Sequence, residues 1–179
     1  MKTIYLQQLS QQDASRLLEF EQTNRQWFEQ YIAPRKESFY CLQGVEKHID
    51  ECLQWVSERK MYPTLIISSE GVILGRVNLH KIDHLNHHAD IGYRVAKSAC
   101  GQGIASLAVE KILVHAFNQL NLQTLYANVL DNNPASKRIL EKFGFQLFSQ
   151  ISEPVLVHKK TYLGSQLKLD KQHWASAHF

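Results

Sequence analysis

A mixed β-sheet with helices on its faces, an α/β or α+β architecture, is the fold class this sequence predicts. Three observations predict it. Short β-branched and apolar runs alternate with longer stretches whose apolar residues recur at helical spacing. Hydrophobic residues make up 44% of the chain and charged residues 21%, a globular balance that argues against wholesale disorder. The length of 179 residues suits one domain, residues 1–179, able to bury a real core.

The elements follow in order. Leu6 and Leu9 close a short first strand, and Ser10 is placed to cap a helix through Ala14, Leu17, Leu18 and Phe20. Asn24 to Tyr40 is aromatic and basic, carrying Arg25, Trp27, Phe28, Tyr31, Arg35, Phe39 and Tyr40. Val45, Ile49, Leu53 and Val56 repeat at helical spacing, so 45–60 reads as a helix. Thr64 to Ser68, a turn at Glu70-Gly71 and Val72 to Leu79 form an antiparallel hairpin. A polar loop over 81–88 leads to a strand over 90–95. From Ile104 an amphipathic helix runs to Leu120, its apolar face built from Ile104, Leu107, Ala108, Ile112, Ala116 and Leu120. Leu125 to Val129 is a strand. Pro134 then opens a helix that ends near Phe143, with Gly144 as its left-handed cap. Phe145 onward and Val157 to Leu169 are closing strands.

Several function classes fall away. No apolar run approaches the roughly 20 residues a membrane span needs, and the opening residues show no secretory signal. A soluble, cytoplasmic protein is the expectation. Three cysteines without C-x-x-C spacing fit a reducing compartment and speak against a disulfide framework or a cysteine zinc site. The net charge of +3 is weak. The segment from Val155 to Phe179 holds Lys159, Lys160, Lys168 and Lys171 against Asp170, and reads as a solvated basic tail rather than a nucleic-acid arm. His80, His84, His87 and His88 cluster without a metal-ligand spacing and read as a polar loop. Cys100 has no paired histidine and reads as a packing residue. Arg25, Trp27, Tyr31 and Arg35 either line a groove or staple two helices.

The most informative stretch runs from Ile91 to Ser106. A strand feeds a loop containing Gly101 and Gly103, and the loop opens directly into a helix. The first helical amides lack intrahelical partners, and the helix dipole adds partial positive charge there. A phosphate can approach such a bare backbone. A P-loop is excluded because Gly103-Ile104-Ala105 lacks the lysine. A dinucleotide fingerprint is excluded because its third small position is Ser106 and the strand comes too late. A pyrophosphate loop remains, beside the alternative of a tight turn that binds nothing. About thirty residues later comes Asn133-Pro134-Ala135-Ser136-Lys137-Arg138-Ile139-Leu140-Glu141-Lys142-Phe143-Gly144-Phe145.

Together the two blocks resemble the GNAT superfamily, the acyl-CoA-dependent N-acetyltransferases. Gly103 and Ala105 match the small positions of its Q/R-x-x-G-x-G/A motif, and Asn133 to Phe145 matches its asparagine-to-Gly-Phe helix. The likeness is good from about Thr64 to Phe145 and looser elsewhere. The Asn-x-Ala-Ser run and the aromatic segment 24–40 look most like the branch that acetylates N-terminal alanine or serine of ribosomal proteins. The resemblance implies a mostly antiparallel mixed sheet whose middle strands splay apart, with the pantetheine arm of acetyl-CoA in the gap. It implies that Tyr93, Arg94 and Val95 pair with that arm, that Gly101, Gln102, Gly103, Ile104, Ala105 and Ser106 hold the pyrophosphate, and that Asn133 bonds the pantetheine. No metal is implied.

The chain departs from the family pattern at two places. Cys100 replaces the usual Gln or Arg, and Leu140 stands where many members carry a tyrosine acid. Ser136, one turn earlier, is then the implied donor to the leaving sulfur, or else an early-helix serine satisfying backbone. Asp90 is the preferred base and Glu153 the second candidate, each with a structural alternative. The implied reaction is direct transfer in a ternary complex to the N-terminal amine of a protein. A small amine (aminoglycoside, polyamine or amino acid) and a non-catalytic CoA-binding module are the alternatives. Neither membrane nor nucleic acid is an expected partner, and a homodimer stays open.

Overall fold

The computed structural model describes residues 3–157 and 159–178. It begins with strand β1 (Ile4–Gln8), a 3-10 turn at Gln11–Asp13 and helix α1 (Ala14–Thr23). Ser10 and Asp13 make a reciprocal capping box at this entry, with the Ser10 N–H and Oγ both reaching the Asp13 carboxylate at 3.0 and 2.9 Å. The short α2 (Arg25–Phe28) follows, then α3 (Leu42–Ser57), whose buried stripe is Val45, Ile49 and Cys52. Strands β2 (Met61–Ser68), β3 (Ile73–Asp83) and β4 (His88–Val95) form an antiparallel meander. Helix α4 (Ile104–Val114), strand β5 (Thr124–Leu130), helix α5 (Pro134–Lys142), strands β6 (Gln146–Val157) and β7 (Lys160–Asp170) and helix α6 (Lys171–His178) complete the chain.

The seven strands form one sheet in the order β1-β2-β3-β4-β5-β7-β6. Every pairing is antiparallel except the central one, β4 with β5, which is parallel and short. It joins only His88 to Thr124, Ala89 to Leu125 and Asp90 to Tyr126. Beyond Asp90, β4 continues to pair with β3 as far as Val95, and β5 continues to pair with β7 as far as Leu130, but not with each other. The sheet is therefore split at one end, the splay expected of the middle strands.

Side chains alternate across a strand, and this sorts the two faces. Tyr62 stacks on His115 at 4.0 Å, just beyond α4, while Arg76 reaches Glu21 of α1 at 3.2 Å. Thus α4 covers one face and α1 with α3 the other, with Leu17, Ile49, Leu65, Val77, Leu79, Ile112, Leu113 and Phe117 fully enclosed between the layers.

Three expectations need correction. The polar loop is only the turn between Asp83 and His88, because β3 and β4 extend into it with Lys81 and His87 at positive φ. The helix from Ile104 does not run uniformly to Leu120, since residues 115–119 form a π-turn that brings Ala116 and Phe117 inside. The basic tail is not a loose surface segment. It supplies β7 and α6, Trp174 is 3% exposed, Lys168 pairs with Asp170 at 3.0 Å, and Lys171 Nζ donates to the Phe117 carbonyl at 2.7 Å.

Candidate active site

The split between β4 and β5 opens into a cleft of about 740 Å³. Its floor is Tyr93, Arg94 and Val95 at the end of β4, and one wall is the loop from Ala99 to Gly101 with Gly103 to Ser106 at the start of α4. The opposite wall is Asn132 to Ser136, Arg138, Ile139 and Lys142, and Trp27, Phe28, Tyr31 and Ile32 close the side nearest α2. Tyr93 and Arg94, adjacent on β4 and so pointing to opposite faces of the sheet, both line it.

Each wall is fixed by local chemistry. Gly101 and Gly103 have φ of +71° and +76°, a region costly for other residues, and an added Cβ at either would meet nothing within 4 Å. The loop can therefore turn sharply and still leave space above the amides of Ile104, Ala105 and Ser106, which have no intrahelical partner and none elsewhere among the described residues. On the other wall Asn133 caps α5: its Oδ1 accepts from the Ser136 N–H at 3.1 Å, which leaves its Nδ2 donor unclaimed among the described residues. Pro134 occupies the first turn, where its missing N–H costs nothing.

Across the cleft, β4 and α5 meet through two hydroxyls. Tyr93 Oη lies 3.0 Å from Ser136 Oγ and donates to the Ser136 carbonyl at 3.1 Å. Burial pushes the Tyr93 phenol up to about 12, with the Ser136 hydrogen bond opposing the rise, so it stays protonated at neutral pH. The aromatic side is stitched to both halves of the sheet. Trp27 Nε1 donates to the Val95 carbonyl at 3.2 Å, and Asn132 Nδ2 donates to the Gln30 carbonyl at 2.8 Å. Asn24 adds a third stitch, accepting from the Lys97 N–H at 3.1 Å while its Nδ2 donates to the Phe20 carbonyl at 2.9 Å.

A buried charge cluster lies beneath the α1 face. Glu21, 1% exposed, accepts from Arg94 Nη2 at 2.5 Å and from Arg76 Nη1 at 3.2 Å, both on Oε1. Arg76 Nη2 is 3.2 Å from His48 Nε2, and Arg35 lies over the Phe39 ring at 4.2 Å, close enough to feel both Glu21 and Arg76. Burial, reinforced by Arg76, Arg35 and Arg94, lowers His48 to about 3, so it is neutral at physiological pH.

The structure thus gathers Ser136, Tyr93, Arg94, Val95, Gly101, Gly103, Ile104, Ala105, Ser106 and Asn133 around one cleft. Three anticipated residues fall elsewhere. Asp90 sits at the closed end of the split, salt-bridged to Lys81 at 2.9 Å and roughly 10 Å along β4 from Tyr93. Gln102 turns away from the cleft and bonds the Ser98 carbonyl at 2.5 Å. Glu153 is exposed on β6. The histidines disperse, with His80 4.0 Å from Asp90, His84 on the Arg59 carbonyl and His88 3.7 Å from Asp83. Cys100 lines the loop wall, and burial raises its thiol pKa. Arg138 and Lys142, cleft residues not anticipated as such, carry an i, i+4 cationic spacing that was legible on the helix.

Comparison with known proteins agrees with this geometry. The acetyltransferase (GNAT) domain profile matches residues 3–146. The chain is 34% identical over 146 residues to the "Probable N-acetyltransferase YjcK" of Bacillus subtilis, covering 80% of this chain and 81% of that one. In fold it resembles the ribosomal-protein-S5-alanine acetyltransferase from Vibrio fischeri, with a TM-score of 0.88 at 17% identity over 97% and 98% of the two chains. It also resembles the spermidine N-acetyltransferase from Vibrio cholerae, solved in complex with CoA and spermine, with a TM-score of 0.83 at 17% identity over 96% and 98%.

Proposed function

The chain belongs to the GNAT acetyltransferase family and is an N-acetyltransferase, and from that premise we propose that it acetylates the N-terminal amine of a protein, with acetyl-CoA as donor. On this reading residues 1–179 act as one catalytic domain. The observation that carries the choice of acceptor is that, among the described residues, no carboxylate lines the cleft. A polyamine or a lysine amine has a pKa near 10.4 and needs both a base and negative charge to hold it, whereas a protein α-amine titrates at about 7.7–8.0 and is already partly neutral at pH 7. The nearby carboxylates Glu29 and Glu37 are both bound to Arg25, at 2.9 and 2.6 Å. Fold likeness extends to a polyamine enzyme, but this lining suits a polycation poorly.

The residues present fit the donor. The bare amides of residues 104–106, with Arg138 and Lys142 opposite, suit the phosphates. The unpaired edge of β4 beyond Asp90 and the Nδ2 of Asn133 suit the amide-rich pantetheine arm. When bound, acetyl-CoA supplies the activated acyl group. The amine nitrogen forms the new bond to the acyl carbon, the carbon–sulfur bond breaks, and the surplus ammonium proton leaves to water. Ser136 Oγ, aligned by Tyr93, hydrogen-bonds the departing thiolate. The backbone amides at the end of β4 stabilise the oxyanion, an effect typically of about 3 kcal/mol per donor.

The test is acetyl transfer from acetyl-CoA to peptides with free N-terminal serine or alanine, set against spermidine and an N-terminally blocked lysine peptide. Mass-spectrometric N-terminal acetylation of the free peptides is the expected result. Faster transfer to spermidine or to the blocked lysine peptide would overturn the acceptor assignment.

A further inference from the structure

The cluster beneath the α1 face carries more positive charge than its one carboxylate can balance. Glu21 is shared by Arg76 and Arg94, Arg35 stands beside them without an ion pair among the described residues, and His48 is uncharged. Arg76 is 3% exposed, and its Nε is buried without a hydrogen-bond partner. Buried cations in excess are costly unless an anion completes them. Arg94 is the member that reaches the cleft. Its side chain is 15% exposed, its guanidinium lies 4.8 Å from the Phe28 ring centre, and among the described residues Glu21 is its only hydrogen-bond acceptor. One edge is thus held by Glu21 while the remaining N–H groups stay available. A guanidinium so held presents a planar fork suited to a carboxylate.

Resting on the transferase reading, we propose that Arg94 binds a carboxylate of the acceptor, so that the preferred substrate carries an acidic group close to the amine that is acetylated. Position supports an acceptor group rather than a phosphate of the donor. Arg94 points to the α1 face, beside Phe28 and near Trp27 and Tyr31, whereas the open glycine loop and the α5 cations form the other walls. The carboxylate has two possible sources, an aspartate or glutamate early in a protein N-terminus or the α-carboxylate of a free amino acid.

The test uses the CoA-loaded protein and calorimetric titration with four amines: the peptide amides Ser-Asp-Glu-Ala and Ser-Asn-Gln-Ala, and serine against serinamide. A charge-assisted pair contributes enough for a preference of about tenfold or more. Tighter binding of the acidic peptide assigns the site to a side-chain carboxylate, and tighter binding of serine than serinamide assigns it to an α-carboxylate. In either case R94Q should reduce the ratio within that pair to less than about twofold. Equal affinities within both pairs in the unmodified protein, or a preference that survives R94Q, would overturn the proposal. Thiol release from acetyl-CoA is followed on the same four amines. Selective binding without turnover would retain the carboxylate site and reject the acceptor class, whereas turnover at equal rates with equal affinities would do the reverse.

Discussion

Changing Tyr93 and Ser136 singly and together tests whether their hydroxyls work as a unit. Tyr93→Phe removes one oxygen that touches both the Ser136 carbonyl and Oγ, at 3.1 and 3.0 Å. Ser136→Ala removes only the second of those contacts. A net hydrogen bond contributes about 1 kcal/mol, so Tyr93→Phe should cost about 1–2 kcal/mol of stability and Ser136→Ala about 1. For a chain of this size that is a melting shift of about 2–4 °C per kcal/mol. In catalysis Ser136 loses a bond to a charged sulfur, about 1.5–3 kcal/mol, which is roughly a 10- to 100-fold fall in kcat. Tyr93→Phe acts through Ser136 and should lower kcat by roughly tenfold on its own. In the Ser136→Ala background it should therefore lower kcat by less than about twofold. The assay is thiol release at saturating acetyl-CoA and acceptor. If Tyr93→Phe still cost tenfold with alanine at 136, the tyrosine would act independently and the aligned-serine reasoning would fail. Because the phenol sits near 12, its ionisation should add no inflection to the kcat profile between pH 6 and 9.

Three further outcomes follow from the same geometry. Gly103→Ala forces a Cβ onto φ of +76° beside the helix amides, at a strain of about 1–2 kcal/mol; calorimetry should show CoA affinity falling by more than the few degrees of melting shift would suggest, and unchanged affinity would remove the loop from the donor site. Glu21→Ala leaves Arg76 and Arg94 buried without their shared carboxylate, and denaturant unfolding should show a loss of about 3–5 kcal/mol; a loss under 1 kcal/mol would mean that solvent already neutralises the cluster. His48 is lowered to about 3 from its usual value near 6.5, so the unfolded chain binds its proton first. Its contribution to stability is full above pH 6.5 and is lost as pH falls toward 3, at up to about 1.4 kcal/mol per pH unit. His48→Gln should flatten the stability curve between pH 6 and 4, and an unchanged slope would place the titration elsewhere.

What the sequence made legible was mostly local. The placement of Gly101, Gly103, Asn133, Pro134 and Ser136 beside one cleft was readable because it depends on a few neighbouring backbone angles and on a helix start. Tyr93 could be placed on a strand, but its meeting with Ser136 depends on the split between β4 and β5, which no spacing encodes. Asp90 falls outside the cleft lining for a related reason. Its chemistry suits a base, but position along β4 decides access, and β4 starts two residues earlier than its composition suggested, leaving Asp90 in the paired part of the sheet. Glu21 gave no signal at all, since a glutamate in an amphipathic helix ordinarily faces water and stands out only once two arginines from β3 and β4 arrive on it. The lysines near the C-terminus misled because charge was counted without Trp174, which anchors α6 against Phe117 at 5.2 Å.

The split sheet behaves mechanically like a clothes-peg. Strands β1 to β4 form one jaw and β5 to β7 the other, hinged on three residue pairs. The hinge end is clamped from outside, where Lys171 and Trp174 of the second jaw grip Phe117 beside the first. At the mouth, α2 and the turn that follows it touch both jaws, through Trp27 on Val95 and through Gln30 on Asn132. A molecule that wedges the jaws apart must therefore shift the footing of α2, and one that settles against α2 must alter how readily the jaws open. Such mutual influence is reciprocal by thermodynamic necessity. The two substrates of this enzyme should each change the other's affinity by the same factor.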